Sequence, residues 1–196
     1  MDKPVNLPNI RNITISGRIA SGSTTLANNL ANHLGWKHVE GGDIFWEQVR
    51  SKLSLDSKDT NRRPDAEDKK FDEALKKMLK DEEHLIIETK LGGFNAQGID
   101  KVFKILVVCE DANGEDSMDI RIDRFINREK SSVNEAKEEV IEREKNDVEK
   151  WRRIYAENDQ DWFYWDKRYY DLIVNTYSSN KEESLSTVLS AIGVSG

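Results

Sequence analysis

Cysteine is almost missing from this chain of 196 residues: Cys109 is the one thiol, which excludes an intramolecular disulfide and a cysteine metal cluster. It lies in the apolar run KILVVC and reads as core filler in a strand. Histidine is also scarce. His33, His38 and His84 are scattered with none at ligand spacing, which leaves a zinc site little support. No apolar run approaches the ~20 residues that a membrane helix needs, and the opening MDKPVNLPN lacks the apolar stretch of a signal peptide. A cytoplasmic location without a membrane partner is expected. An excess of positive charge is absent as well, since 30 Lys and Arg stand against 37 Asp and Glu for a net charge of −7. That balance argues against nucleic acid as the main partner and leaves room for a small anionic ligand in a local pocket.

What is present suits one compact unit, with 37% hydrophobic and 34% charged residues giving a single core beneath a heavily charged surface. A monomer is expected. RNITIS reads as a strand with Ile13 and Ile15 on one face. It runs into the glycine-containing GRIASGS and then into a helix carrying Leu26, Ala27, Leu30, Ala31 and Leu34 on one stripe. A second strand covers 36–40 and ends in Gly41 and Gly42, after which Asp43 caps a helix to about residue 53. A polar loop over 54–64 leads to a helix over 65–80 that buries Phe71, Leu75, Met78 and Leu79. HLIIE is the third strand, 102–109 the fourth and 170–175 the fifth. Charged helices occupy 116–130 and 133–157, and a last helix occupies 181–192. Helices alternating with buried strands imply a three-layer α/β/α fold around a five-stranded parallel sheet.

The strongest chemical signal is GRIASGST, residues 17–24, placed between strand and helix as a phosphate-binding loop requires. Gly17, Ala20, Ser21, Gly22, Ser23, Thr24 and Thr25 are the candidate nucleotide-binding positions. Their amides and the helix N-terminus offer donors to phosphate, and the Thr24 hydroxyl is placed to hold magnesium. Ser23 stands where the usual pattern has lysine, so a cation that normally bridges the terminal phosphates is missing. Arg18, inside the loop, is the nearest substitute. Arg121, Arg124 and Arg128 share roughly 60° of a helix face at 100° per residue, placing them to clamp a polyphosphate at the rim of a core helix. Arg143 follows on the next helix.

Five ordered stretches carry a resemblance: ITISGRIASGSTTLANNLANHLGWKHVEGGDIF, ETKLGG, the RxxR helix with NREKSSVNEA, EEVIEREKNDVEKWRRIYA, and YYDLIVNT. Together they resemble the archaeal-type cytidylate kinases, a branch of the P-loop nucleoside monophosphate kinases. The resemblance covers nearly everything from Arg11 onward. It implies transfer of the γ-phosphoryl group of ATP to CMP or dCMP with magnesium, in a doubly wound sheet with an arginine lid over about 116–168 and an acceptor-binding insertion over about 42–82. It implies that Gly42, Asp43, Lys90 and Gly93 serve the acceptor, together with Asp72 from a helix in the acceptor-base region. Glu88 would orient the magnesium, Asn175 and Thr176 would lie near adenine, and Arg124, Arg128 and Arg143 would meet the migrating charge. Two departures stand out beside Ser23. Trp46 takes the place of an expected arginine, and Lys90 keeps the charge but loses the bidentate fork of arginine. The lost cations also support a rival reading, a nucleotide-binding sensor without turnover. A kinase of another small acceptor is the third.

Overall fold

The computed structural model describes residues 3–42 and 64–194. The helix expected over 43–53, Asp43, Trp46 and most of the loop before Pro64 lie outside the described residues. Five strands, β1 (Asn12–Gly17), β2 (Lys37–Glu40), β3 (Leu85–Glu88), β4 (Val102–Val108) and β5 (Leu172–Asn175), pair in parallel in the order β2-β3-β1-β4-β5. The expected doubly wound sheet is therefore the observed one.

Period-two alternation sorts the strand residues into two cores. Ile13, Ile15, Ile86, Ile105 and Val107 pack on one face against α1 (Ser23–Leu34) and α7 (Lys181–Ala191). Leu85, Ile87 and Val102 turn to the other, where Leu75 and Leu79 of α2 (Asp65–Asp81) cover them. α1 ends at Gly35 in the left-handed region, where glycine escapes the Cβ penalty. A short helix that the pattern does not announce, α3 (Gly92–Asn95), follows β3. Its Gly93 is demanded by packing, because a Cβ there would sit 2.1 Å from the Tyr170 ring.

After β4 come α4 (Met118–Glu129) and then α5 (Val133–Lys137), which passes through a π-helical turn, Glu138–Arg143, into α6 (Glu144–Tyr155). The apolar face of α4 and α5 closes on Ile122, Ala136 and Val140, with Ile19 of the P-loop against it. The aromatic run after α6 packs inward. Trp162 and Tyr164 are buried with Trp151, Val148 and Leu91. Cys109 is buried just past the end of β4. Among the described residues no helix is long and apolar enough to cross a membrane.

Candidate active site

β1 has β3 on one side and β4 on the other, so the strand order reverses direction at its carboxyl end, where a parallel sheet opens a crevice. The loop 17–24 leaves from that point. Gly17 allows it to fold back tightly, since a Cβ there would lie 2.4 Å from Ser21 Oγ. Gly22 takes φ 106° as it enters α1, whose N-terminus has no side-chain cap. The first-turn amides of a 12-residue helix are thus left for another acceptor.

The outer side of the loop is held by α4 and β5. Arg121 Nη1 donates to Ile19 O at 2.8 Å, and Thr176 Oγ1 donates to Ser21 O at 2.6 Å. Arg124 reaches the same Ser21 carbonyl at 3.5 Å and Thr176 at 2.9 and 2.6 Å. In a trans peptide the N–H points opposite to the C=O. Carbonyls drawn outward at Ile19 and Ser21 therefore turn the amides of Ala20 and Gly22 inward.

The three arginines of α4 do not project together. Arg121 is 0% exposed and is clamped by Asp116 at 2.9 Å and Glu144 at 3.1 Å. It lines neither large cavity among the described residues, so the expected rim position gives way to an interior one. The cause is the pair of carboxylates waiting inside, which makes burial of a guanidinium tolerable. Arg124 faces the loop and β5, and Arg128 stays half exposed with Glu129 as neighbour.

A cavity of about 440 Å³ spreads from the loop across Gly41, Gly42, Glu88, Lys90 and Asp72 to Arg128, Arg143 and Trp151. Every cation on its described walls rests on a carboxylate. Lys90 meets Asp147 at 2.5 Å, Arg143 meets Glu139 at 2.7 Å, and Arg128 meets Glu129 at 2.6 Å. Arg18 meets Glu144 at 2.5 Å and Asp116 at 3.2 Å, and lies 4.4 Å above the Trp165 ring. Burial works against its charge, but the Glu144 hydrogen bond and the charges of Glu144 and Asp116 outweigh it and raise the Arg18 pKa. Arg18 is thus engaged elsewhere and not posed as a substitute lysine. Ser23 Oγ and Thr24 Oγ1 both donate to Glu88 Oε1, at 2.7 and 2.8 Å. A second cavity of about 350 Å³ lies beyond Gly22 and Thr25, between Arg124, Arg128, Thr176 and Asn180.

On the far wall the helix carboxylates are buried rather than solvated. Asp68 pairs with Lys150 of α6 at 2.5 Å, with both side chains under one-tenth exposed. Asp72 accepts from Asn95 at 2.7 Å and from the Tyr155 hydroxyl. Burial, ahead of those opposing bonds, raises its carboxyl to about 6.

The structure brings Gly17, Ala20, Gly22, Ser23, Thr24 and Thr25 to one cavity wall with Gly42, Asp72, Lys90, Glu88, Arg128 and Arg143 around it. Ser21 is buried beneath the loop and contributes its carbonyl. Gly93 and Asn175 stand off the cavity walls. Gly93 packs on Tyr170, and the Asn175 side chain is spent on Glu110 and Tyr177 backbone groups. Unforeseen were Glu139, Glu144 and Asp147, although Glu144 and Asp147 interrupt the apolar stripe of Val140, Val148 and Trp151 at helical spacing. His38 was also missed: its imidazole stands with Glu40 and Glu88, the ligating atoms all within 4.8 Å of one another.

The comparisons with known proteins agree with this architecture. A family model described as AAA domain matches residues 16–142. The chain is 31% identical over 182 residues to a cytidylate kinase of Haloarcula marismortui, with 92% of this chain and 88% of that one covered. A cytidylate kinase of Methanopyrus kandleri is 32% identical over 184 residues, with 92% of each covered. The chain belongs to the archaeal cytidylate kinase family. Among solved structures, a shikimate kinase of Bacteroides thetaiotaomicron superposes with a TM-score of 0.60 at 13% identity, covering 94% of this chain and 99% of that one. That likeness speaks for the P-loop kinase fold alone.

Proposed function

We propose that this chain transfers the γ-phosphoryl group of ATP to CMP or dCMP. The observation that carries the reading is the P-loop, its carbonyls drawn outward and its amides inward, opening at the sheet's switch point into a cavity shared by lid arginines and Lys90. ATP would place its phosphates on the amides of the loop, with adenine in the second cavity beside Arg124 and Thr176. The monophosphate would lie between Gly42, Lys90 and Asp72, within an acceptor-binding region over about 42–82.

The hydroxyl of Thr24 beside the Glu88 carboxylate is an all-oxygen donor set, which suits magnesium. Thr24 would hold the ion and Glu88 would orient its water shell; when bound, the ion neutralises charge on the β- and γ-phosphates. An oxygen of the acceptor monophosphate attacks the γ-phosphorus as the bond to the bridging oxygen of ADP breaks. Its charge needs positioning and neutralisation, with no general base. Arg128 and Arg143 would leave Glu129 and Glu139 to meet that charge as the lid, over about 116–168, closes. Arg121 acts as a positioning residue through Ile19.

An ADP-release assay with Mg·ATP across CMP, dCMP, UMP, AMP and small alcohols tests the reading. Turnover with CMP or dCMP above the others is expected. ATP binding without turnover on any acceptor would favour a sensor instead, and turnover on an alcohol would move the acceptor outside the nucleotides.

A further inference from the structure

His38 lies on β2 next to the P-loop, yet no step of the phosphoryl transfer uses it. Its surroundings fix which nitrogen carries the proton. Asn28 Nδ2 donates to Thr24 O at 3.0 Å, so the atom facing His38 Nδ1 at 3.1 Å is the amide oxygen, Oδ1. An amide oxygen only accepts, which puts the proton of a neutral imidazole on Nδ1 and leaves a lone pair on Nε2. Nε2 is buried and has no hydrogen-bond partner. It faces Glu88 Oε2 at 3.6 Å. A lone pair turned toward a carboxylate oxygen is repulsive unless a cation lies between them. The separation is long for a hydrogen bond. It is close to the about 3.4 Å between neighbouring ligand atoms on a tetrahedral ion with bonds of about 2.1 Å.

The third member is supplied by strand register. Glu40 pairs directly with Glu88 and shares a strand face with His38 two residues earlier. We propose that His38 Nε2, Glu40 and Glu88 form a binding site for a divalent first-row transition metal ion beside the phosphate-binding loop. An imidazole with two carboxylates favours zinc, cobalt or manganese over magnesium, which prefers oxygen alone. The Asn28 contact to Nδ1 is the outer bond that orients such a ligand. Three protein ligands leave a position open for water or another oxygen ligand. The site differs from the magnesium position at Thr24, because Glu88 turns Oε1 to Ser23 and Thr24 and Oε2 to His38. It also puts a dication on the carboxylate that holds Ser23, the residue standing where the loop pattern has lysine. The proposal does not rest on the kinase reading, since it concerns the protein without nucleotide.

The test titrates nucleotide-free protein with Co²⁺, followed by visible absorption, and with Zn²⁺ by calorimetry. One ion per chain is expected. His38→Gln and Glu40→Gln should each weaken binding at least about tenfold, and Thr24→Ala should leave it unchanged. Circular dichroism melts check that each variant is folded, and Glu40→Gln, at an exposed position, carries the test should His38→Gln not fold. Absence of binding, equal affinity in the parent and both Gln variants, or loss in Thr24→Ala alone would overturn the proposal. In the first case the cluster is a protein-only contact of His38 with Glu88, and in the last the ion sits in the nucleotide's magnesium position.

Discussion

On the loop side of the cavity the groups offered to a phosphate are backbone amides, aimed by Arg121, Thr176 and Arg124 pulling on carbonyls behind them. The facing wall carries charged side chains instead, the cations Lys90 and Arg143 and the carboxyls Asp68 and Asp72, each already bonded within the protein. The first wall is ready before any ligand arrives and does not titrate. The second is held in internal ion pairs and hydrogen bonds that a ligand would have to displace. The comparison also explains how a loop with Ser23 can keep a phosphate site: the amides do not depend on the missing lysine.

The largest effect that would break this comparison is on the support behind the loop. Arg121→Met leaves Asp116 and Glu144 without their buried cation and should cost about 3–5 kcal/mol of stability, read from urea denaturation. A loss below about 1 kcal/mol would mean that Arg18, already bonded to both carboxylates, compensates them alone.

A comparable effect on the facing wall comes through pH. The Asp72 carboxyl, ordinarily near 3.8, ionises in the fold only at about 6. Between those values the folded state holds a proton that the unfolded chain has lost, so stability falls as pH rises through the window and levels off above it. The two-unit difference corresponds to about 3 kcal/mol at this buried site. Measured between pH 4 and 7, the stability of Asp72→Asn relative to the parent should rise by that order, and a flat difference would place the carboxylate in a better-compensated environment.

The arginines of α4 sharpen the contrast. Arg128→Ala should lower kcat about 10²-fold with little change in ATP affinity, because its charge is met only as the phosphoryl group moves. Arg124→Ala should instead weaken ATP binding, since Arg124 braces the loop and lines the second cavity. Equal effects of the two on kcat would restore the single clamp that the spacing alone suggests. Smallest is Ser23→Lys, which adds charge at the β- and γ-phosphates and should raise kcat about tenfold, ~1.4 kcal/mol of barrier. An unchanged rate with ATP affinity retained would show that another cation already serves.

The strands, the loop and the charged helices after β4 were legible because each rests on local signals: strand alternation, glycines between strand and helix, and apolar spacing. Arg121 was misplaced because the i, i+3, i+7 spacing gives a shared direction but not the depth, which Glu144, 23 positions away, decides. His38 was passed over for a similar reason. Ligand spacing along the chain does not reveal it, because Glu88 reaches it only through the register of β2 on β3. The burial of Asp68 and Asp72 was not legible because their partners, Lys150, Tyr155 and Asn95, come from other helices. Gly93 and Asn175 carried a family expectation, and here packing and turn bonding account for both.

Backbone geometry should by itself hold a nucleotide at this loop. Calorimetric titration of the parent protein and of Ser23→Ala with Mg·ATP measures that directly. Binding below millimolar concentration is expected for both, with affinities within about fivefold of each other because the hydroxyl contributes at most one ordinary hydrogen bond. Folded parent protein that gives no binding at millimolar Mg·ATP would contradict the account, removing the kinase and the sensor together.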